Sequence, residues 1–174
     1  MKTTIHIATS LDGFVADAAN SVHWLESLSS DIGVFERILP FMQAVDGVVL
    51  GRKTYEAALE YGEWPYRKKQ CLVVTSSTAQ PTTPDTYFIR PEEVMDKANA
   101  LGIQHLWVVG GGQLNGYMVE QGWIDELIVT VSPIVLGNGQ PLMASLGKHT
   151  LLQLFDLYPL PDGFIELSYR LQRT

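Results

Sequence analysis

Two glycine turns, each set between an apolar strand and a helix start, constrain this chain more than any other part of it. The first is Val48-Val49-Leu50-Gly51-Arg52-Lys53-Thr54-Tyr55-Glu56 and the second is Val108-Val109-Gly110-Gly111-Gly112-Gln113-Leu114. In each, a run of buried-strand type passes through glycine into residues that can start a helix. A helix N-terminus carries unpaired N–H groups and partial positive charge, and glycine lets an anion come close to the backbone. Two such turns in one small chain point to a ligand with phosphates at two places, such as a dinucleotide. Each turn taken singly also fits an ordinary βα loop.

The 174 residues suit one domain, 1–174, with a sizeable core. With 46% hydrophobic and 18% charged residues, the composition is that of a folded globular chain. The net charge is −7 and no basic cluster exceeds Arg67-Lys68-Lys69. A nucleic-acid partner is therefore not expected, because neutralising phosphates takes a broad basic patch. Cys71, the only cysteine, lies in an apolar strand-like run and reads as a small buried hydrophobe. Neither a long apolar leader before Thr3-Thr4-Ile5-His6-Ile7-Ala8 nor a bilayer-length apolar run is seen, so a soluble, cytoplasmic protein without a membrane partner is expected.

Strand-like and helix-like segments alternate. Strands are predicted at 5–10, 45–50, 72–75, 87–89, 106–109 and 126–132, with a short extended piece at 14–16. Helices are predicted at 54–61, from Pro91 to Leu101 and at 114–120, and a further one from a Ser30-Asp31 cap through Phe35, Ile38, Leu39 and Met42. Pro40 in that last run signals an end or a kink. Residues 151–157 and 164–171 read as two closing strands, and Ile165-Glu166-Leu167-Ser168-Tyr169-Arg170-Leu171 alternates like an antiparallel strand with one wet face. The pattern predicts an α/β fold with a mixed, mainly parallel sheet flanked by helices and an antiparallel C-terminal end.

The two common nucleotide-binding patterns are not met. Gly110 to Gly116 offers no P-loop lysine, and a Rossmann fingerprint read from Gly110 meets Asn115 where its third glycine belongs. The order Ala8, Gly13, Gly51-Arg52-Lys53-Thr54-Tyr55-Glu56, Val73-Val74-Thr75-Ser76-Ser77, Val108-Val109-Gly110-Gly111-Gly112 and Thr130 instead resembles the dihydrofolate reductase fold family. The segments Ile124-Asp125-Glu126-Leu127 and Ser132-Pro133-Ile134-Val135-Leu136-Gly137-Asn138-Gly139 resemble one branch of it, the reductase domain of the riboflavin-biosynthesis deaminase-reductases and its single-domain relatives.

That resemblance implies an NADPH cofactor. Gly51, Arg52, Lys53 and Thr54 would hold the adenosine-side phosphates, Arg52 suiting a 2′-phosphate, and Thr75 and Ser76 would add hydroxyls. Val109, Gly110, Gly111, Gly112, Gln113 and Leu114 would cradle the pyrophosphate, with a cis peptide between the paired glycines Gly110 and Gly111. Ala8, Val15 and Ala16 would line the nicotinamide pocket or form plain strand core. The chemistry implied is hydride transfer to a C=N or C=O bond of a small pterin-like or pyrimidine-like heterocycle.

A proton source is needed beside that pocket. Asp31 is the candidate, supported by Thr130, and it also suits a helix N-cap. Asp31 and Phe35 repeat the family's acid-to-phenylalanine spacing; Phe35 and Trp24 are candidate substrate contacts, Trp24 being equally suited to the core. Lys69 stands where a folate-clamping arginine would be, Phe14 follows Ser10-Leu11-Asp12-Gly13 where the riboflavin enzymes carry lysine, and only Arg37 lies between residues 14 and 50 to meet a ribose phosphate. The four histidines show no metal-ligand spacing, so no metal is expected. The branch also implies a homodimer, through residues 133–142 and the C-terminal strands. A nucleotide-binding protein of this fold without catalysis is the alternative.

Overall fold

A computed structural model of the chain describes residues 1–28, 36–60 and 62–172. Within them the order is β1 (Lys2–Ser10), β2 (Phe14–Ala16), α1 (His23–Leu28), α2 (Ile38–Ala44), β3 (Gly47–Gly51), α3 (Arg52–Glu60), β4 (Gln70–Val74), β5 (Thr86–Ile89), α4 (Val94–Ala100), β6 (His105–Gly110), α5 (Gly112–Glu120), β7 (Glu126–Ser132), β8 (Gln140–Pro141), β9 (Leu152–Pro159) and β10 (Ile165–Leu171). An eight-stranded sheet runs β5-β4-β3-β6-β1-β7-β10-β9. Its first six strands are parallel neighbours and the last two are antiparallel.

Period-2 alternation sorts the strand residues between two layers. Ile5, Val49, Leu72, Val108, Leu127 and Val129 face α4 and α5 and pack with Val94, Ala98, Leu114 and Met118. Val48, Leu50, Cys71, Val73 and Trp107 face the other way, toward Tyr55 and Ala58 of α3 and the half-buried Phe41 and Met42 of α2. Cys71 is fully buried, and burial pushes its thiol up to about 12, in keeping with a hydrophobe rather than a nucleophile.

Helices open differently from their sequence-based bounds, and the expected start of one is not among the described residues. The helix expected from Ser30-Asp31 is described only from Ile38, since residues 29–35 lie outside the described residues. Pro40 neither ends nor kinks it: it falls in the first turn, where a missing N–H costs nothing. The helix after Pro91 opens with one 3-10 turn, Pro91–Glu93, in which the Glu93 carboxylate accepts from the Arg90 N–H at 2.7 Å. The helix after Gly110 starts at Gly112, two residues earlier than its apolar pattern indicates.

Candidate active site

The two glycine turns lie side by side, because β3 and β6 are neighbours with Leu50 opposite Gly110. A Cβ built on Gly51 would stand 3.7 Å from the Gly110 carbonyl oxygen, and one on Gly111 would stand 3.8 Å from Thr54 Oγ1. The N-termini of α3 and α5 therefore open together at the carboxyl edge of the sheet, where ligands bind in open α/β sheets. The peptide between Gly110 and Gly111 is cis, as the resemblance implies.

The α3 end carries the charge. Arg52 Nε donates to Glu56 Oε1 at 2.7 Å and the guanidinium lies over the Phe88 ring, 4.9 Å from its centre. Its Nη1 is buried and has no partner, so one donor of a charge-bearing group is left unsatisfied. Lys53 is exposed and Thr54 half-buried. Val74 is opposite Gly51, so Thr75 and Ser76 follow onto the same edge. Thr75 Oγ1 accepts from the Ser77 N–H at 3.0 Å, and Ser76 is exposed.

At the α5 end the residues divide. Gln113 is exposed, whereas the Leu114 and Val109 side chains pack into the two apolar layers, leaving only their backbones toward a ligand. Gly112 has a packing duty: a Cβ there would come within 2.0 Å of the Pro141 carbonyl oxygen. The segment 140–144 is fastened over this turn by Ala144 N–H to the Gly112 carbonyl (3.0 Å), Asn115 Nδ2 to the Leu142 carbonyl (3.0 Å) and Leu142 N–H to the Gly13 carbonyl (2.8 Å).

The same segment reaches the predicted nicotinamide wall. Ala16 of β2 pairs with Gln140 of β8, and Val15 sits half-buried between its neighbours. Ala8 is half-buried on β1 and stands beside Thr130 of β7, which in turn stands beside Glu166 of β10. All three point to the face that carries α2. Trp24 is half-buried on α1 with its indole Nε1 buried and unpartnered. Asp31 and Phe35 lie outside the described residues, so their expected roles have no counterpart in the geometry.

One cluster is not evident from the sequence, where His6 is merely an alternating strand residue and Glu166 belongs to a wet face. Both are almost completely buried. His6 Nε2 meets Glu166 Oε2 at 3.2 Å, and Arg37 donates through Nε to Glu166 Oε1 and through Nη2 to Asp156 Oδ2 at 2.7 Å. Arg37, the one arginine between residues 14 and 50, is thus engaged by two carboxylates. Burial alone would raise the Glu166 carboxyl, but the His6 and Arg37 hydrogen bonds and charges outweigh it and hold it below the usual carboxylate range. The signal available in the sequence is an acid at every-other spacing in a closing strand; only the cover given by Arg37 and α2 shows that its face is dry.

Residues 1–165 match the family described as the RibD C-terminal domain. The chain belongs to that family. It is 36% identical over 166 residues, 88% of each chain, to the Bacillus subtilis protein YwjB, which is described as uncharacterized. Over 84 residues it is 31% identical to the riboflavin biosynthesis protein RibD of Haemophilus influenzae, covering 45% of this chain and 22% of that one. Among solved structures, a Shewanella protein provisionally named a riboflavin biosynthesis protein superposes with a TM-score of 0.89 at 27% identity, covering 99% of this chain and all of that one. Acinetobacter baumannii RibD superposes at 0.74 and 16% identity, covering 98% of this chain and 58% of that one, a likeness of fold. The RibD C-terminal domain family has the dihydrofolate reductase-like fold, with the central mostly parallel sheet and antiparallel C-terminal strands described above. Among the described residues no cluster of three or more His, Cys, Asp or Glu could hold a metal, and no helix is long and apolar enough to cross a membrane.

Proposed function

We propose that this single RibD C-terminal domain is an NADPH-dependent reductase of a small pterin-like or pyrimidine-like heterocycle. The observation that carries the reading is the convergence of the α3 and α5 N-termini at one sheet edge, with Arg52 Nη1 buried and unpartnered beside them. Two positive helix ends and an unsatisfied guanidinium donor suit a ligand with phosphates at both places.

In this reading Gly51, Arg52, Lys53, Thr54, Thr75 and Ser76 hold the adenosine side. The backbone from Gly110 to Leu114 holds the pyrophosphate, with Gly111 and Gln113 the most open of that run. Ala8, Val15, Ala16 and Thr130 orient the ring end, and Trp24 borders the substrate. When bound, a reduced nicotinamide supplies the hydride; the protein positions it, excludes water and furnishes a proton. Asp31 is one proposed proton source, with Phe35 beside the substrate.

Titration with NADPH and with NADH, followed by nicotinamide fluorescence, tests the reading. Saturable NADPH binding, with oxidation driven by dihydrofolate or by 5-amino-6-(5-phosphoribosylamino)uracil, is expected. Failure to bind either dinucleotide sinks it, and binding without turnover on a broad heterocycle panel favours a non-catalytic binding protein. The proposed cytoplasmic domain pairs as a homodimer through β9, a sheet edge on which Leu152, Leu154, Phe155 and Leu157 are all exposed. Sedimentation as a monomer at micromolar concentration removes that part.

A further inference from the structure

A pocket of about 500 Å³ lies between α2 and the sheet, bordered by His6, Arg37, Phe41, Ile128, Tyr158 and Glu166. Its buried polar groups are organised. Glu166 occupies His6 Nε2 and Arg37 Nε, while the Arg37 guanidinium lies over the Tyr158 ring at 4.7 Å. Phe41 stands edge-on to the imidazole, 4.6 Å between ring centres. The Nδ1 atom of His6 is buried and has no partner, although the residue is only 4% exposed. An orphaned nitrogen on a ring this closely held is costly unless something meets it.

The position of the ring gives that nitrogen a use. His6 precedes Ala8 by two residues on β1, so both side chains point to the same face, and Glu166 stands beside Thr130, itself beside Ala8. The pocket thus adjoins the place where the reductase reading puts the ring end of the dinucleotide. We propose that His6 is the proton donor for the reduced bond, with Glu166 and Arg37 as positioning residues. This rests on the reductase reading.

The step balances. As the substrate carbon takes up the hydride, the His6 Nδ1–H bond breaks and a new N–H or O–H bond forms on the substrate. The hydride would come from the reduced dinucleotide when bound, and His6 is left neutral with its remaining proton on Nε2, facing Glu166. Water then returns a proton to Nδ1. A carboxylate on Nε2 holds the ring in place and fixes the tautomer left after transfer, which is the orienting role an acid plays beside a catalytic histidine. Among the described residues, the other charged or titratable groups around His6 are Arg37 and Glu36 ahead of α2, and Asp156 and Tyr158 on β9. His105 lies beyond Phe41.

The test is imidazole ¹⁵N NMR of the whole protein with NADP⁺ bound, the His6 signals being assigned with His6→Gln. In the neutral ring the proton is expected on Nε2, facing Glu166, with Nδ1 bare. In Glu166→Gln that preference is expected to weaken, so that signals of the Nδ1-protonated tautomer grow in, because a neutral amide can offer Nε2 either an acceptor or a donor. A neutral tautomer protonated at Nδ1 in the unmodified protein, or a tautomer balance unmoved in Glu166→Gln, overturns the role of His6 even where NADPH binds. On whichever of the two substrates above is turned over, His6→Gln is expected to lower kcat about 10²–10³-fold without changing the NADPH Kd; an unchanged kcat overturns it. Absence of NADPH binding by the unmodified protein instead overturns the underlying reductase reading, so the two failures are distinct.

Discussion

Gly116→Ala is expected to destabilise the protein by about 2–4 kcal/mol, opposite in sign to the usual result of that change inside a helix. Replacing glycine by alanine in a helix interior ordinarily gains about 1 kcal/mol through propensity. At position 116, however, the new Cβ would sit 1.9 Å from the Ala144 carbonyl oxygen and 3.0 Å from its carbon, and both are backbone. No rotamer change relieves that clash. The segment 140–144 must lift away, and with it go the Ala144–Gly112 and Asn115–Leu142 hydrogen bonds and the β2–β8 pairing. Overpacking costs about 1–3 kcal/mol and each broken hydrogen bond about 1 more, so the sum exceeds the propensity gain. For a chain of this size the melting temperature should fall by roughly 5–15 °C. Gly112→Ala meets the Pro141 carbonyl in the same way, and because one segment answers to both, the double variant should cost less than the two singles added. A melting temperature raised by Gly116→Ala would show that the segment is not seated on α5.

That segment also explains what could be read from the sequence and what could not. Strands such as β6 and β7 are buried on both faces, so they appear as apolar runs ending at a glycine turn or a polar stop, and Glu126–Ser132 is found with the bounds expected. The helices after Gly51 and Gly110 follow from the same punctuation, though each starts two residues before its expected bound. Two-residue β8 and six-residue α1 are too short to generate a period, and neither is anticipated by the sequence pattern. Gly112 and Gly116 read as ligand-side or helix residues because close approach between distant backbones leaves no trace in local sequence. Glu166 is misassigned to a wet face for a related reason. Alternation says that two faces differ, but which one is dry depends on what packs on it, and here Arg37, 129 positions earlier, closes that face. The proposed phosphate end of the site is therefore legible, being built of local strand–turn–helix units, whereas the proposed reactive end is assembled from three strands that meet only in the folded sheet.

Arg52→Ala is expected to weaken NADPH about 10–100-fold while leaving NADH within about twofold, which separates recognition of the 2′-phosphate from support of the fold. A charge-assisted hydrogen bond of a guanidinium to a phosphate is worth about 1.5–3 kcal/mol. The intramolecular partners of Arg52 are worth far less. Its pairing with Glu56 is a half-exposed i,i+4 interaction, of the kind that contributes about 0.3–0.5 kcal/mol, and the Phe88 ring adds an amount of the same order. Fold stability should accordingly change little, and the discrimination between the two dinucleotides should carry nearly the whole effect. Arg52→Lys should recover only part of it, since an ammonium cannot donate two parallel N–H groups. Raising the salt concentration should narrow the NADPH preference of the unmodified protein more than that of Arg52→Ala, because a guanidinium–phosphate pair is an attraction between full charges and is screened by ions. Equal weakening of NADPH and NADH by Arg52→Ala would assign the residue to the turn itself rather than to a phosphate, and the buried Nη1 would then need another partner.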